Sequence, residues 1–193
     1  MPVLEPITEH CEPPARPERL TDRPDVKLAD IMDYVRRDPA ITPTQRAGSL
    51  CAMRRLSRAL DTDPRLIPAT PEAFRHAVSS IVPAGVGLTP RRLSNMLSRT
   101  LSAMIQAGIP VMRGRSSTAL SAVWQKLAWV LPDPRARNGL SRFMRFCTEL
   151  GIAPEQVDDA VFDRFRVTLQ KQSLVKSPHA VHRTACHQWN RAV

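Results

Sequence analysis

Apolar residues recur every three or four positions along most of this chain, which is the spacing of one buried face of an α-helix. The clearest stripe runs from Leu93 to Ile105. It opens at Thr89-Pro90 with a capping residue and a proline, and it is ended by Gly108. No stretch of the sequence alternates apolar and polar residues as a half-buried β-strand would. The pattern therefore predicts an all-α fold.

Capping residues, prolines and glycines divide this pattern into eight predicted helices. They cover residues 26–37, 44–60, a helix that opens at Thr70-Pro71, the helix that opens at Thr89, and residues 117–131, 135–150, 158–171 and 178–191. In the helix over 117–131 we expect the inward positions to be Leu120, Val123, Trp124, Leu127 and Val130. All three tryptophans, Trp124, Trp129 and Trp189, are expected in the core.

The chain also repeats itself at a nearly fixed distance. Residues 140–154 match residues 50–64 at an offset of 90, and the helix start at Ser177-Pro178 matches Thr89-Pro90 at an offset of 88. Such self-similarity favours two tandem copies of one helical unit, each a bundle of three or four helices. We predict a disordered or loosely docked, proline-rich arm over 1–25, a first unit over 26–115, and a connecting helix with a second unit over 116–193.

The positive charge is concentrated on the two predicted units. The chain has 28 Lys and Arg residues, most of them arginine, against 18 Asp and Glu, which gives a net charge of +10. Residues 1–40 carry a net −3, residues 41–132 a net +9, and residues 133–193 a net +4. Because arginine's planar fork suits phosphate groups and base edges, we expect a polyanionic partner. Duplex nucleic acid is favoured over an acidic membrane surface.

The helices that match in the repeat carry similar polar faces, for example with Arg99 falling on His187 at the offset of 88. Cationic and hydrogen-bonding side chains with almost no carboxylates among them suit phosphate positioning and some base-edge contact. The alternative is that these faces are simply solvated. The candidate DNA-binding residues are Arg54, Arg55, Arg58, Arg91, Arg92, Asn95, Arg99, Arg137, Arg142, Arg145, Lys176, His179, Arg183, His187 and Arg191.

Residues 133–193 contain three short motifs that are informative in combination. They are Leu-Ser-Arg-Phe at 140–143, a Gly-Ile-Ala-Pro turn at 151–154, and a closing Trp-Asn-Arg-Ala at 189–192. With these motifs the segment resembles the core-binding domain of tyrosine recombinases, the phage-integrase family. The resemblance implies a small helical domain that packs across one face of duplex DNA and is followed by a catalytic domain.

The catalytic residues of that family are not found in this sequence. The family's catalytic domain supplies Arg, Lys, a His-x-x-Arg motif and a tyrosine nucleophile. Here none of the five histidines begins such a motif, and the one tyrosine, Tyr34, lies in the first predicted helix. We expect Tyr34 to be structural and this chain not to be an enzyme. The resemblance implies a full-length parent that breaks and rejoins DNA, with its own catalytic domain and other protomers of a synapse as partners.

No cofactor and no metal site are expected. The seven glycines form no phosphate-binding loop, and the spacing of His182 and His187 on a helix is poor for chelation. Four scattered cysteines are typical of reduced thiols in a cytoplasm. No apolar run could span a bilayer, and the acidic, proline-rich N-terminus is unlike a signal peptide. We therefore expect a cytoplasmic protein, and the resemblance to integrases implies a bacterial one that is nucleoid-associated when bound to DNA.

Two other functions fit the same composition. A helical adaptor could bind an acidic protein partner through the same faces, and its binding would depend on exposed apolar anchors. A stand-alone transcription regulator would need a dimer interface and a two-fold operator. The favoured prediction is duplex DNA binding by the N-terminal part of a site-specific tyrosine recombinase.

Overall fold

The computed structural model describes residues 15–21, 23, 25–112, 119–131 and 133–192. These residues form eight α-helices and two short 3-10 turns, at Pro83–Val86 and Pro154–Gln156, and they contain no β-strand. The helices are α1 (Leu28–Arg37), α2 (Pro43–Ala59), α3 (Pro71–Ser79), α4 (Pro90–Gln106), α5 (Ala122–Val130), α6 (Pro134–Glu149), α7 (Asp159–Gln172) and α8 (Pro178–Ala192). The all-α prediction is confirmed. Among the described residues no helix is long and apolar enough to cross a membrane.

Local capping decides where most of the helices begin. The side chains of Thr42, Thr89 and Asp158 each accept a hydrogen bond from the backbone N–H three residues later, at the starts of α2, α4 and α7. Proline is the first residue of α2, α3, α4, α6 and α8, where its missing N–H would have had no helical partner. The predicted end of α4 also holds, because Gly108 adopts a left-handed φ of 88°.

The buried apolar residues form two clusters. The first lies between residues 26 and 109 and is mainly aliphatic, with Met53 and Met104 fully buried at its centre. The second lies between residues 112 and 185 and is richer in aromatic side chains; Phe143 stacks on Phe162 with ring centroids 4.3 Å apart. The Nε1–H of Trp124 donates to the Ile152 carbonyl at 2.7 Å, so its polar atom is satisfied within this core. The boundary predicted at residues 115–116 lies outside the described residues.

In each cluster a glycine lies where two helices pack against each other. Gly48 of α2 faces the side chain of Arg99 on α4, and a Cβ at that position would overlap its guanidinium. Gly139 of α6 faces α8, where a Cβ would lie 2.9 Å from the Cγ of Gln188 and 3.2 Å from the Cγ2 of Thr184. A glycine therefore lies at the contact within both helix pairs, and these two pairs correspond in the sequence repeat.

Helices α3 and α7 join the two clusters, and Arg75 of α3 makes most of the polar contacts between them. Its Nη1 donates to the carbonyls of Leu169 at 3.4 Å and of Ser173 at 2.6 Å, and its Nη2 donates to the Gln170 carbonyl at 2.8 Å. These carbonyls lie at the C-terminal end of α7, which leaves acceptors without helical partners. Arg75 therefore caps a helix of the opposite cluster.

Helix α5 differs from its prediction. It is shorter than residues 117–131, and residues 117 and 118 lie outside the described part of the chain. Trp124 is fully buried as expected, but Val123 is exposed, Val130 is 77% exposed and Trp129 is 85% exposed. The inward placement of Val123 and Val130 and the core placement of Trp129 are wrong. The physical reason is that α5 lies on the outside of the second cluster and is covered along one narrow stripe only.

The described part of the proline-rich arm lies against the end of α4 and against α1. The Leu20 N–H donates to the Ala107 carbonyl at 2.8 Å, and the Thr21 hydroxyl donates to the Gly108 carbonyl at 2.9 Å. The Arg16 guanidinium lies 3.8 Å from the Asp38 carboxylate. Of the two states predicted for the arm, these contacts fit the docked one for residues 15–21, because the end of α4 offers free carbonyls. Residues 1–14 lie outside the described residues.

Candidate nucleic-acid interface

The end of α2 and the start of α4 enclose an open groove of about 420 Å³. Arg55 and Arg58 line it from α2, where a spacing of three places them on one side of the helix. Arg92 lines it from the first turn of α4. All three side chains were candidates from the sequence and all three residues are exposed. The fold therefore brings two separate basic segments to one place.

Carboxylates are not part of this groove. Its lining contains no Asp or Glu, and among the described residues no ion pair joins Arg55, Arg58 or Arg92 to an acid. Ion pairs do occur elsewhere in the described residues, for example on the arm, on α1 and on α7. The positive end of the α4 dipole adds to the field of the three guanidinium groups. This arrangement can bind an anion that offers several oxygens at once.

The floor of the groove is apolar. Val86 and Leu88, from the segment between α3 and α4, line it together with Ala59. Val86 is 39% exposed, so part of its side chain is open to a partner at this groove. Gly87 between them has a φ of 66°, a left-handed conformation that lets the 3-10 turn at Pro83–Val86 lead directly into α4.

The other candidates of the first cluster do not share this groove. Arg54, Arg91 and Asn95 are exposed on the surfaces of α2 and α4. Arg99 lies about 10 Å further along α4 than Arg92, because seven residues of helix separate them. Its side chain lies over Gly48 in a second groove, together with Ser102 and Gln106. The predicted polar face of α4 is exposed but divides into two parts.

The candidates of the second cluster are more scattered. Arg137, Lys176, Arg183, His187 and Arg191 are exposed.

The three remaining candidates each contact other residues of the fold. His179 is exposed, and its Nε2 lies 3.4 Å from the Nε2 of Gln170 on α7. Arg145 is half-buried, and its Nη1 donates to the Ser141 carbonyl of its own helix at 2.8 Å. Arg142 is half-buried in a groove between α6 and α8. The two copies of the repeat therefore do not present equivalent basic surfaces.

The chain matches no protein-family model, no curated protein sequence and no solved structure. The resemblance to tyrosine recombinases stays a prediction from the motifs of residues 133–193.

Two arginines have structural roles that the sequence did not distinguish from surface roles. Arg75 caps α7, as described above. Arg46 of α2 donates from Nε to the Val35 carbonyl at 3.1 Å, and from Nη2 to the carbonyls of Asp38 at 2.9 Å and Ile41 at 3.1 Å. Arg46 thereby holds the end of α1 against α2. No pattern in the sequence separates such an arginine from one that faces solvent, because both occupy polar positions.

Outside the groove, Cys51 is an exposed free cysteine, whereas Tyr34, Cys147 and Cys186 are wholly or partly buried. Tyr34 is buried on α1, and burial raises its pKa, with the nearby Asp38 carboxylate adding to the rise. Burial raises the pKa of the Cys147 thiol to about 12 and also raises that of Cys186. The Sγ of Cys186 lies 3.6 Å from the Nε2 of His182, but no group of three or more metal-binding side chains occurs among the described residues. These buried or partly buried positions offer no exposed nucleophile.

Proposed function

We propose that this chain binds duplex DNA as the N-terminal part of a tyrosine-type site-specific recombinase. In this proposal residues 26–115 and 116–193 are tandem helical units of three or four helices, joined by α5. The observation that carries the proposal is the groove of Arg55, Arg58 and Arg92, where three exposed guanidinium groups lie together without a carboxylate in the lining.

The phosphate backbone is the partner that such a groove suits best. Duplex DNA presents a dense line of negative charge, and neutralising it releases condensed counterions, which drives binding. Arginine can donate two parallel hydrogen bonds to one phosphate. Arg54, Arg91 and Asn95, exposed on the same two helices, would extend the contact along the duplex. The exposed residues of the second cluster would add a second contact region.

Strand cleavage is assigned to a catalytic domain of the same polypeptide and not to this chain. Tyr34 would be a poor nucleophile, because its side chain is buried and its raised pKa keeps the hydroxyl protonated. The proposed role of the chain is to hold DNA for that domain and to meet other protomers in a synapse.

The test is fluorescence anisotropy of the chain with a labelled random duplex at about 50 and 200 mM salt. Six or more phosphate contacts should cost about a thousandfold in affinity across this range. A steep loss supports the proposal, and a competing acidic polypeptide should displace the duplex poorly. Absence of binding even at the lower salt concentration would refute it.

One observation favours a second candidate, the adaptor for an acidic protein. Trp129 and Val130 form an exposed apolar pair on α5, which is the kind of anchor that protein interfaces use. This candidate predicts negligible affinity for random duplex. It also predicts that Trp129→Gln weakens partner binding while leaving any DNA binding unchanged.

A further inference from the structure

We infer that the groove of Arg55, Arg58 and Arg92 is a site for one stretch of phosphodiester backbone, and that the first helical unit alone provides it. This inference rests on the proposed function and makes it more specific. Charge summed over both units would predict two similar contacts with DNA. The placement of the side chains instead indicates one such site, in the first unit.

The chemistry of the lining matches a sugar–phosphate chain in both of its parts. Guanidinium groups line the groove from α2 and from α4, and Val86 and Leu88 line it as well. A nucleic acid strand alternates charged phosphates with largely apolar faces of the sugar. Three guanidiniums would bind the phosphate oxygens, and the exposed face of Val86 would contact a sugar.

The spacing of charge also favours a nucleic acid strand. Three cationic groups without a counter-charge repel one another, and a partner must bring several negative charges within one short segment. Each strand of a duplex carries one phosphate for about every 3.4 Å of helix axis, so the groove would meet two or three successive phosphates. An acidic peptide is the other class that could meet this need, and the test below distinguishes it.

The second unit cannot form the same site, because its matching positions hold other residues. At the offset of 90, Arg58 corresponds to Thr148 and Ala59 to Glu149, and at the offset of 88 Arg92 corresponds to Ala180. The counterpart of Arg55 is Arg145, whose guanidinium already bonds to its own helix. In the second unit, the carboxylate of Glu149 therefore corresponds to the apolar Ala59 of the groove. Two of the three arginines of the groove have no arginine counterpart there.

The experiment compares the salt dependence of duplex binding for matched triple variants. The groove variant is Arg55→Gln/Arg58→Gln/Arg92→Gln. Each lost phosphate contact lowers the slope of log affinity against log salt by about 0.9, so the slope should fall by about 2.7. Between 50 and 200 mM salt the variant should therefore lose about 40-fold less affinity than the unmodified chain does.

The matched control removes the same number of charges elsewhere. Arg37→Gln/Arg65→Gln/Arg164→Gln changes three exposed arginines on α1, after α2 and on α7. Its slope should change by less than about 1, since none of the three lines the groove. A second groove variant, Val86→Asp, keeps all three arginines and adds a carboxylate to the floor. It should weaken duplex binding at least tenfold, which tests the groove even if the triple variant folds poorly.

The outcomes separate this inference from the proposed function. If the unmodified chain binds duplex but both triple variants change the slope equally, net charge is responsible and the inference is overturned while DNA binding stands. An acidic polypeptide that displaces duplex from the groove at equal charge concentration would also overturn it. If the unmodified chain fails to bind duplex, the proposed function falls first and this inference with it. Loss confined to the groove variants would support both.

Discussion

Replacing Arg75 by methionine should weaken the contact between the two hydrophobic clusters and so lower the free energy of unfolding. The substitution removes the guanidinium and keeps an unbranched apolar stem of similar length. The guanidinium donates three hydrogen bonds to carbonyls at the end of α7, at 2.6, 2.8 and 3.4 Å. Two of these are short, charge-assisted bonds, and the third is long enough to count as weak.

The expected loss can be estimated from those contacts. A hydrogen bond that involves a charged group contributes about 1.5–3 kcal/mol, but bonds that share one guanidinium are not additive. Ser173 is fully buried, so its carbonyl would find no water as a replacement partner. We therefore expect Arg75→Met to lower the free energy of unfolding by about 3 kcal/mol, a large part of the stability of a small domain.

Urea denaturation followed by circular dichroism measures this loss. Arg75→Lys serves as a comparison, because it keeps the charge at the end of α7 but replaces the planar fork by a point charge, and it should lose about half as much. Arg65→Met changes an exposed arginine and should stay within about 0.5 kcal/mol of the unmodified chain. A value for Arg75→Met inside that same 0.5 kcal/mol would refute the reasoning, since the three bonds would then contribute nothing net.

Three further predictions concern the interior. Burial raises the pKa of the Cys147 thiol from 9.0 to about 12, so the folded state keeps a proton that the unfolded state loses. The free energy of unfolding should therefore decline as pH rises from 9 to 12, by about 1 kcal/mol between pH 9 and 10. Urea denaturation at several pH values should show a shallower decline for Cys147→Ala. Equal declines for the variant and the unmodified chain would contradict the assignment. Gly139→Ala should cost about 1–2 kcal/mol, because its Cβ meets a branched side chain and an inner methylene. Gly48→Ala should be neutral or mildly stabilising, because a flexible guanidinium can move aside and alanine favours the helix; thermal denaturation that ranked these two variants in the opposite order would count against the packing described. Trp129→Gln should change the free energy of unfolding by less than about 0.5 kcal/mol, whereas Trp124→Gln should lower it by at least about 3 kcal/mol. Comparable losses of stability in the two variants would show that Trp129 is not exposed in solution.

The positions of the helices could be predicted from the sequence because their signals are local. Thr89 and Asp158 cap backbone groups only three residues away, and a proline after a capping residue limits the backbone in the same short window. Observed and predicted starts of α4, α7 and α8 therefore differ by a residue at most. Burial on α5 could not be predicted in this way. Whether Trp129 or Trp124 faces the core depends on which helices pack nearby, and nothing within one turn of α5 carries that information.

The sequence predicted which arginines belong to the candidate site, but it did not predict that they lie together in one groove. Arg55, Arg58 and Arg92 were identified as basic positions on two helices, yet no local signal shows that the end of α2 meets the start of α4. The apolar floor was missed as well, since Val86 lies in a short turn that has no periodic pattern. The packing of α4 against α2 brings the arginines together, and the left-handed Gly87 after the 3-10 turn places Val86 next to the start of α4.

Charge counted along the sequence overstates the surface that a polyanion can use. Residues 41–132 have a net charge of +9, but the guanidiniums of Arg46 and Arg75 donate hydrogen bonds to backbone carbonyls. If either arginine bound a phosphate instead, those carbonyls would lose their donors. Arg99 lies over Gly48 of α2, about two turns further along α4 than Arg92 and outside the groove. What decides phosphate binding is therefore how many guanidiniums converge without a competing partner, and in the described part of the first unit that number is three. This is why we expect a slope change near 2.7 from the groove and not a value that scales with net charge.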